Sequence, residues 1–195
     1  MAEKIKNMAL KIKKHTRLFF DTQTSITEFY RSLKVDYPKF FKMDGLSKLG
    51  FLASEMIFRD DENRFVPDES TAVLCFNRSS SLDVDMQYQA TISDNENYFP
   101  SPSLFVYTLP NIVTGEIAIR NNFLGESSFY ICKEFNAKQI VRTVGNAFCD
   151  KTTTAVLVAW IEHFEAKREV LMALVERGNG YVEFSEYQLD ILYHT

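Results

Sequence analysis

The chain has 195 residues, a net charge of −4 at pH 7, and 46% hydrophobic against 25% charged residues. That balance fits one globular domain with a real core and excludes a disordered chain, while the acidic excess argues against a nucleic-acid phosphate backbone as partner. No apolar run approaches the roughly 20 residues that cross a bilayer, and no signal-peptide core follows the first lysines, so a cytoplasmic location away from membranes is expected.

In chain order, residues 1–20 interleave Lys4, Lys6, Lys11, Lys13 and Lys14 with Ile5, Met8, Leu10 and Ile12. The pattern reads as an edge strand or a solvated helix rather than as a membrane or nucleic-acid tail. Ser25 with Glu28 spells a capping box for a helix through Leu33. Residues 46–58 keep Leu46, Leu49, Leu52, Met56 and Ile57 at helical spacing, and the acidic stretch 60–70 with Pro67 reads as a loop. Residues 71–76, TAVLCF, form a short continuous apolar run, the pattern of a strand covered on both faces. Asn77 to Ser81 then make a small polar turn, Asp83 and Asp85 fall in a solvated loop, and residues 94–97 form another loop. Residues 108–123 are expected as one helix with Thr108 as N-cap and Pro110 in its first turn.

Residues 127–133 alternate toward strand, and 135–148 return to helical spacing through Ile140, Val141, Val144 and Ala147. Two strand-like runs follow, at 153–161 and 169–176, separated by a charged connector that contains His163. They read as antiparallel neighbours, although 160–176 is also rich in helix formers and a long helix stays open. A short C-terminal helix capped by Ser185 closes the chain. Cys75, Cys132 and Cys149 are odd in number and set in apolar stretches, which suits reduced, buried thiols rather than disulfides or a zinc site. The sequence has no phosphate-binding, dinucleotide, hydrolase-elbow or zinc-peptidase motif, so no cofactor or metal is expected.

Two segments carry a resemblance. In 100–139 the residues Ser101, Pro102, Phe105, Asn111, Gly115, Ala118, Ile119 and Gly125 follow the spacing of a motif that resembles the β-ketoacyl synthase family. Upstream, Lys42 to Ala53, KMDGLSKLGFLA, is similar to the M-D-x-x-x-x-L-A-x-x-A helix that precedes a ketosynthase's second strand, matching at Met43, Asp44, Leu49 and Ala53. The resemblance covers roughly residues 40–176 of a single domain, 1–195, and matches only the N-terminal half of the family. It implies a thiolase-like α/β/α half-fold in three layers, with a mostly parallel five-stranded sheet and one antiparallel strand. It also tips 160–176 toward a hairpin.

The chemistry implied by the family departs from these residues. Its nucleophilic cysteine comes nine residues after the glycine that matches Gly125, and that position holds Glu134. Cys132 is the other candidate nucleophile, read chiefly as a small hydrophobe in a core strand. The family's catalytic histidines belong to the second half, and His15, His163 and His194 do not match them. The resemblance therefore implies a noncatalytic accessory subunit of fatty acid or polyketide chain assembly, as chain-length factors are. Such a subunit would act as a homodimer or as a heterodimer with a ketosynthase, with acyl carrier protein as a further partner. The interface strand would comprise Ser127, Ser128, Phe129, Tyr130 and Ile131, joined by Phe123. The alternatives are an acyltransferase or thioesterase using Cys132 or Glu134, and a lipid-binding module built on the aromatic core of 17 Phe and nine Tyr.

Overall fold

A computed structural model describes residues 9–21 and 23–195, so the lysines before residue 9 lie outside the described residues. The chain runs β1 (Leu10–Phe19), α1 (Ile26–Ser32), a 3-10 turn (Pro38–Lys42), α2 (Gly45–Phe58), β2 (Thr71–Asn77), α3 (Leu82–Ala90), α4 (Pro102–Tyr107) and α5 (Ile112–Asn121). It continues through β3 (Ser127–Ile131), α6 (Ala137–Ala147), β4 (Ala155–Phe164), β5 (Lys167–Arg177), β6 (Val182–Glu183) and α7 (Glu186–His194).

The strands form one sheet in the order β3-β2-β4-β5-β1-β6. Strand β2 pairs parallel with both β3 and β4, whereas the β4–β5, β5–β1 and β1–β6 pairs are antiparallel. Strands β1 to β4 thus share one direction, and β5 and β6 oppose them. The expected five strands with one reversed are all present, corrected by a sixth: the two-residue β6, which covers the outer edge of β1.

Apolar side chains line both faces of the central strands, which is why β2 and β4 read as continuous runs rather than alternating ones. On one face Val73, Cys75, Leu157, Ile161 and Met172 pack with Leu49 and Leu52 of α2 and with Val113 and Ile117 of α5. On the other, Leu74, Phe76, Val158, Trp160 and Ala173 pack with Ile140 and Val144 of α6 and with Leu189 and Leu192 of α7. Helices on both faces make the three α/β/α layers.

Within the described residues the basic N-terminal stretch is a strand from Leu10 to Phe19, not a solvated helix. Its cations meet carboxylates across the β1–β5 ladder: Lys13 Nζ lies 2.7 Å from Glu176 and Arg17 Nη2 2.7 Å from Glu169. The hairpin reading of 160–176 holds, with both strands longer than their apolar cores. Phe164 pairs with Lys167, so only Glu165 and Ala166 turn the chain, with Glu165 at φ 53°. Three caps fall where their residues place them. Ser25 accepts from Glu28 N, Asp44 from Leu46 N and Ser47 N, and Ser185 from Gln188 N.

The helix expected over 108–123 is shorter, Ile112–Asn121, and a separate helix precedes it, so Thr108 is a C-cap rather than an N-cap. Pro110 lacks an amide donor and restricts Leu109, so α4 ends at Tyr107 with Thr108 as its C-cap, and α5 starts after Asn111. Asp83 and Asp85 also differ from expectation, since both stand in the first turn of α3, where carboxylates favour the helix dipole.

Gly50 sets the approach of α2 to α5. A Cβ there would lie 2.6 Å from Val113 Cγ2, 3.1 Å from Ile117 Cδ1 and 3.2 Å from Ile161 Cδ1, whereas one on Gly145 of α6 would meet nothing within 4 Å. Urea unfolding should show Gly50→Ala losing about 1–3 kcal/mol to overpacking. Gly145→Ala should gain up to about 1 kcal/mol from helix propensity. Equal effects at the two glycines would contradict this packing.

Candidate functional site

Strands β2, β3 and β4 run parallel, so their carboxyl ends gather at one end of the sheet. The turns there are held tightly. Asn77 ends β2 fully buried, its side-chain amide donates to Ser80 O at 2.8 Å, and its Oδ1 accepts from Ser80 N at 3.0 Å, which steadies Ser80 at φ 53°. Glu162, buried at the end of β4, accepts from Arg78 N at 2.9 Å and Ser79 N at 3.3 Å. Ser79, Ser80 and Ser81 thus form a structural turn, and Ser81 Oγ donates to Thr108 O at 2.8 Å to tie α3 to the end of α4.

Strand β3 delivers the chain to α6. Cys132 N donates to Asn77 O at 2.7 Å, and the next two residues, Lys133 and Glu134, are exposed. Phe135 then turns inward, stacked on Tyr193 with ring centroids 3.9 Å apart and edge-on to Trp160. Asn136 is the N-cap: its side chain accepts from Gln139 N at 2.8 Å and so occupies a donor that would otherwise face an incoming anion. Glu134, at the position of the family's cysteine, lies two residues ahead of this cap.

Cys132 is half-buried against the α6–α7 core, and burial pushes its thiol upward, opposed by the hydrogen bond with Gln139. Cys75 is pushed up to about 12 by complete burial. Both shifts disfavour the thiolate that nucleophilic or metal-binding chemistry needs. Cys149 is exposed rather than buried, contrary to expectation.

His163 corrects the expectation of an exposed connector residue. The two-residue hairpin turn leaves it inside β4, where its side chain is only 15% exposed. It shares the face of Ile161, opposite to Trp160 and Phe135, so the sheet separates it from Cys132 and Asn136. Its ring lies over Gly45 at the start of α2, where any Cβ would run into the imidazole. Nδ1 is 3.5 Å from Asp83 Oδ2. A cleft of about 520 Å³ opens here, lined among others by Lys42, Asp44, Lys48, Asp83, Tyr107, His163 and Arg168. Burial holds His163 below its ordinary value while Asp83 and Asp44 pull it up and Arg168 pushes it down. The alternation Trp160, Ile161, Glu162, His163 carried the signal for this placement, hidden by the charged residues that follow.

Strand β3 is the outer strand on its side of the sheet. Val73 N donates to Glu126 O and Cys132 N to Asn77 O, so the even-numbered residues between them point their backbone groups at β2. The backbone groups of Ser127, Phe129 and Ile131 consequently point away from the sheet. Ile131 is 59% exposed, whereas Tyr130 stacks on Phe76 at 4.8 Å and Phe123 packs edge-on to Phe58 at 5.3 Å. Of the strand residues named as an interface, Ser127, Phe129 and Ile131 therefore present open backbone groups, Ser128 and Tyr130 turn theirs to β2, and the Phe123 ring is partly spent on the core.

No protein-family model and no curated protein matches the sequence. Solved structures do match. The ishigamide ketosynthase/chain length factor superposes with a TM-score of 0.65 at 16% identity, over 90% of this chain and 64% of that one. The complex of the ketosynthase ApeO with its chain length factor ApeC from Xenorhabdus doucetiae superposes with a TM-score of 0.62 at 13% identity, over 96% of this chain and 91% of that one. The AntDE:AntF complex, a type II PKS acyl-carrier protein with its ketosynthase bound to the hexaketide, gives a TM-score of 0.61 at 11% identity, over 88% of this chain and 63% of that one. The chain has the thiolase-like fold of the β-ketoacyl synthases, and it spans under two thirds of the first and third of these structures. No helix among the described residues is long and apolar enough to cross a membrane.

His163 makes stability depend on pH. Its folded value lies below the ordinary 6.5, so its neutral form stabilises the fold above that pH, and the contribution fades as the pH falls below it. Asp44, raised by burial, has the opposite sign but acts nearer its own ordinary value of 3.8. Melting temperatures measured between about pH 7.5 and 5.5 should fall for the wild type and change less for His163→Asn. Parallel curves would mean that His163 does not titrate in a buried setting.

Proposed function

We propose that this chain works by association, as a noncatalytic ketosynthase-like subunit of fatty acid or polyketide chain assembly. The observation that carries the reading is the β3–α6 junction. The strand presents an open backbone edge, while the helix start behind it is capped by Asn136 and the thiol nearest to it in the chain, Cys132, is pushed up by burial. The edge is suited to pairing and the helix start is not suited to holding an acyl group.

The partner most consistent with this is a ketosynthase that pairs its own strand against β3, with Ser127, Phe129 and Ile131 supplying outward amides and carbonyls. Similarity to a ketosynthase/chain length factor and to ApeO with ApeC supports that choice. An acyl carrier protein would then meet the assembled pair, in line with the AntDE:AntF complex. The raised thiol of Cys132 and the exposed position of Glu134 weigh against an acyltransferase or thioesterase.

Co-expression with the ketosynthase from the same source, followed by size-exclusion chromatography with light scattering, should give a complex of fixed ratio. Ile131→Lys, which charges the exposed end of the edge strand, should weaken that complex about tenfold or more while leaving the melting temperature nearly unchanged. Separate elution of the two wild-type proteins at micromolar concentration would overturn the proposal.

A further inference from the structure

The sheet has a second open edge, on β1, across the molecule from β3. Phe20 N donates to Arg168 O, and the β1–β5 register runs unbroken from Lys14 to Phe19, so Lys14, Thr16 and Leu18 turn their backbone groups to β5. Those of His15, Arg17 and Phe19 point outward. Strand β6 covers only the other end of β1, where it pairs with Lys11 and Ile12. Tyr181 N donates to Ile12 O at 3.0 Å, and Gly180 lies so close that a Cβ there would run into that oxygen. The register shifts between Ile12 and Lys14, and beyond the shift no described strand pairs with the outer side of β1.

The side chains around this edge decide what it accepts. Lys13 is paired with Glu176, whereas Arg17 and Lys167 share the single carboxylate of Glu169, at 2.7 and 3.0 Å. Lys14 makes no ion pair among the described residues. His15 bonds to the Tyr181 hydroxyl and, held below its ordinary value by burial, adds no charge near pH 7. Asp21, Glu165 and Glu183 stand at the ends of the edge, and Asp21 is spent on the amides of Gln23 and Thr24. The length of the edge is therefore positive on a chain whose net charge is −4. At its open end Phe19 is 64% exposed. Two copies meeting edge to edge about Arg17 would set Arg17 against Arg17, and like charges directly opposite destabilise a strand pair. A strand bearing Asp or Glu meets the opposite sign.

We infer that residues 15–19 of β1 dock an extended acidic segment of another protein, added to the sheet as one more strand. The outward amides and carbonyls of His15, Arg17 and Phe19 hold its backbone. Lys14 and Arg17 are three residues apart and stand on opposite faces of β1, so they receive carboxylates from both faces of the incoming strand. Phe19 offers an apolar contact at the end. The same cations keep the edge from pairing with a second copy, which makes them a guard and a selector at once. The edge is independent of the accessory-subunit reading and lies opposite β3, so a partner on β3 leaves it free. Binding through it weakens as salt rises.

The test is residue-resolved amide hydrogen exchange by NMR on the full chain, titrated with two peptides of equal length, one alternating Val and Glu and the other Val and Lys. Slower exchange at His15, Arg17 and Phe19 is expected with the Val/Glu peptide and not with the Val/Lys peptide. Affinity for the Val/Glu peptide should fall about tenfold or more in Phe19→Pro, which removes an outward N–H that β5 does not use, and in Lys14→Glu. Lys14→Glu leaves the backbone intact, so it keeps the test valid should the proline disturb the strand. Equal slowing by both peptides, or none by the Val/Glu peptide, overturns the docking edge. Binding that survives both variants places the peptide elsewhere and overturns it too. Failure of the accessory-subunit reading shows separately, as the absence of a ketosynthase complex.

Discussion

Strands β2 and β4 carry large apolar side chains on both faces, and every other feature of the molecule follows from having to cover them. Leu74, Phe76, Val156 and Trp160 face one helical layer, while Val73, Cys75, Leu157 and Ile161 face the other. Helices α2 and α5 seal one side, and α6 and α7 the other. Fully burying each such side chain contributes about 1.5–3 kcal/mol, far more than any surface ion pair, so the central strands fix the architecture. The peripheral strands can then be polar: β1 places its cations against Glu169 and Glu176, and β3 keeps an open edge.

The same sheet separates the groups that chemistry would need together. Cys132 and Asn136 belong to the α6–α7 side, whereas His163 lies on the α2 side between Gly45 and Asp83. Period-two alternation along β4 keeps Trp160 and His163 on opposite faces, so no rotamer change reunites these groups. What the carboxyl end of the sheet does hold is a set of rigid turns, with Asn77 and Glu162 spent on backbone donors. Buried groups fully engaged in this way serve the scaffold rather than a substrate.

Where local pattern and tertiary packing agreed, the residues spelled out the structure. The run TAVLCF reads as a doubly covered strand, and Ser25 and Ser185 read as helix caps, because these features act over a few residues. Residues 160–176 were ambiguous: their helix formers lose to cross-strand pairs such as Trp160 with Leu171, a contact invisible to propensity. Pro110 was read as a first-turn residue but acts as a break, because Thr108 is already committed as the α4 cap. The charges after His163 read as a longer loop, whereas the turn is only Glu165 and Ala166 and leaves His163 inside the strand. The N-cap of α6 is legible locally as Asn136 followed three residues later by Gln139, two residues beyond Glu134.

The most direct test of noncatalytic association is intact-protein mass spectrometry after incubation with an acyl thioester, with the chain alone and in the presence of the ketosynthase. The expected result is an unmodified mass for this chain in both mixtures, with the acyl group carried by the ketosynthase. An added acyl group on this chain, mapped to Cys132 or Glu134, would contradict it and make the molecule an acyl-transferring enzyme.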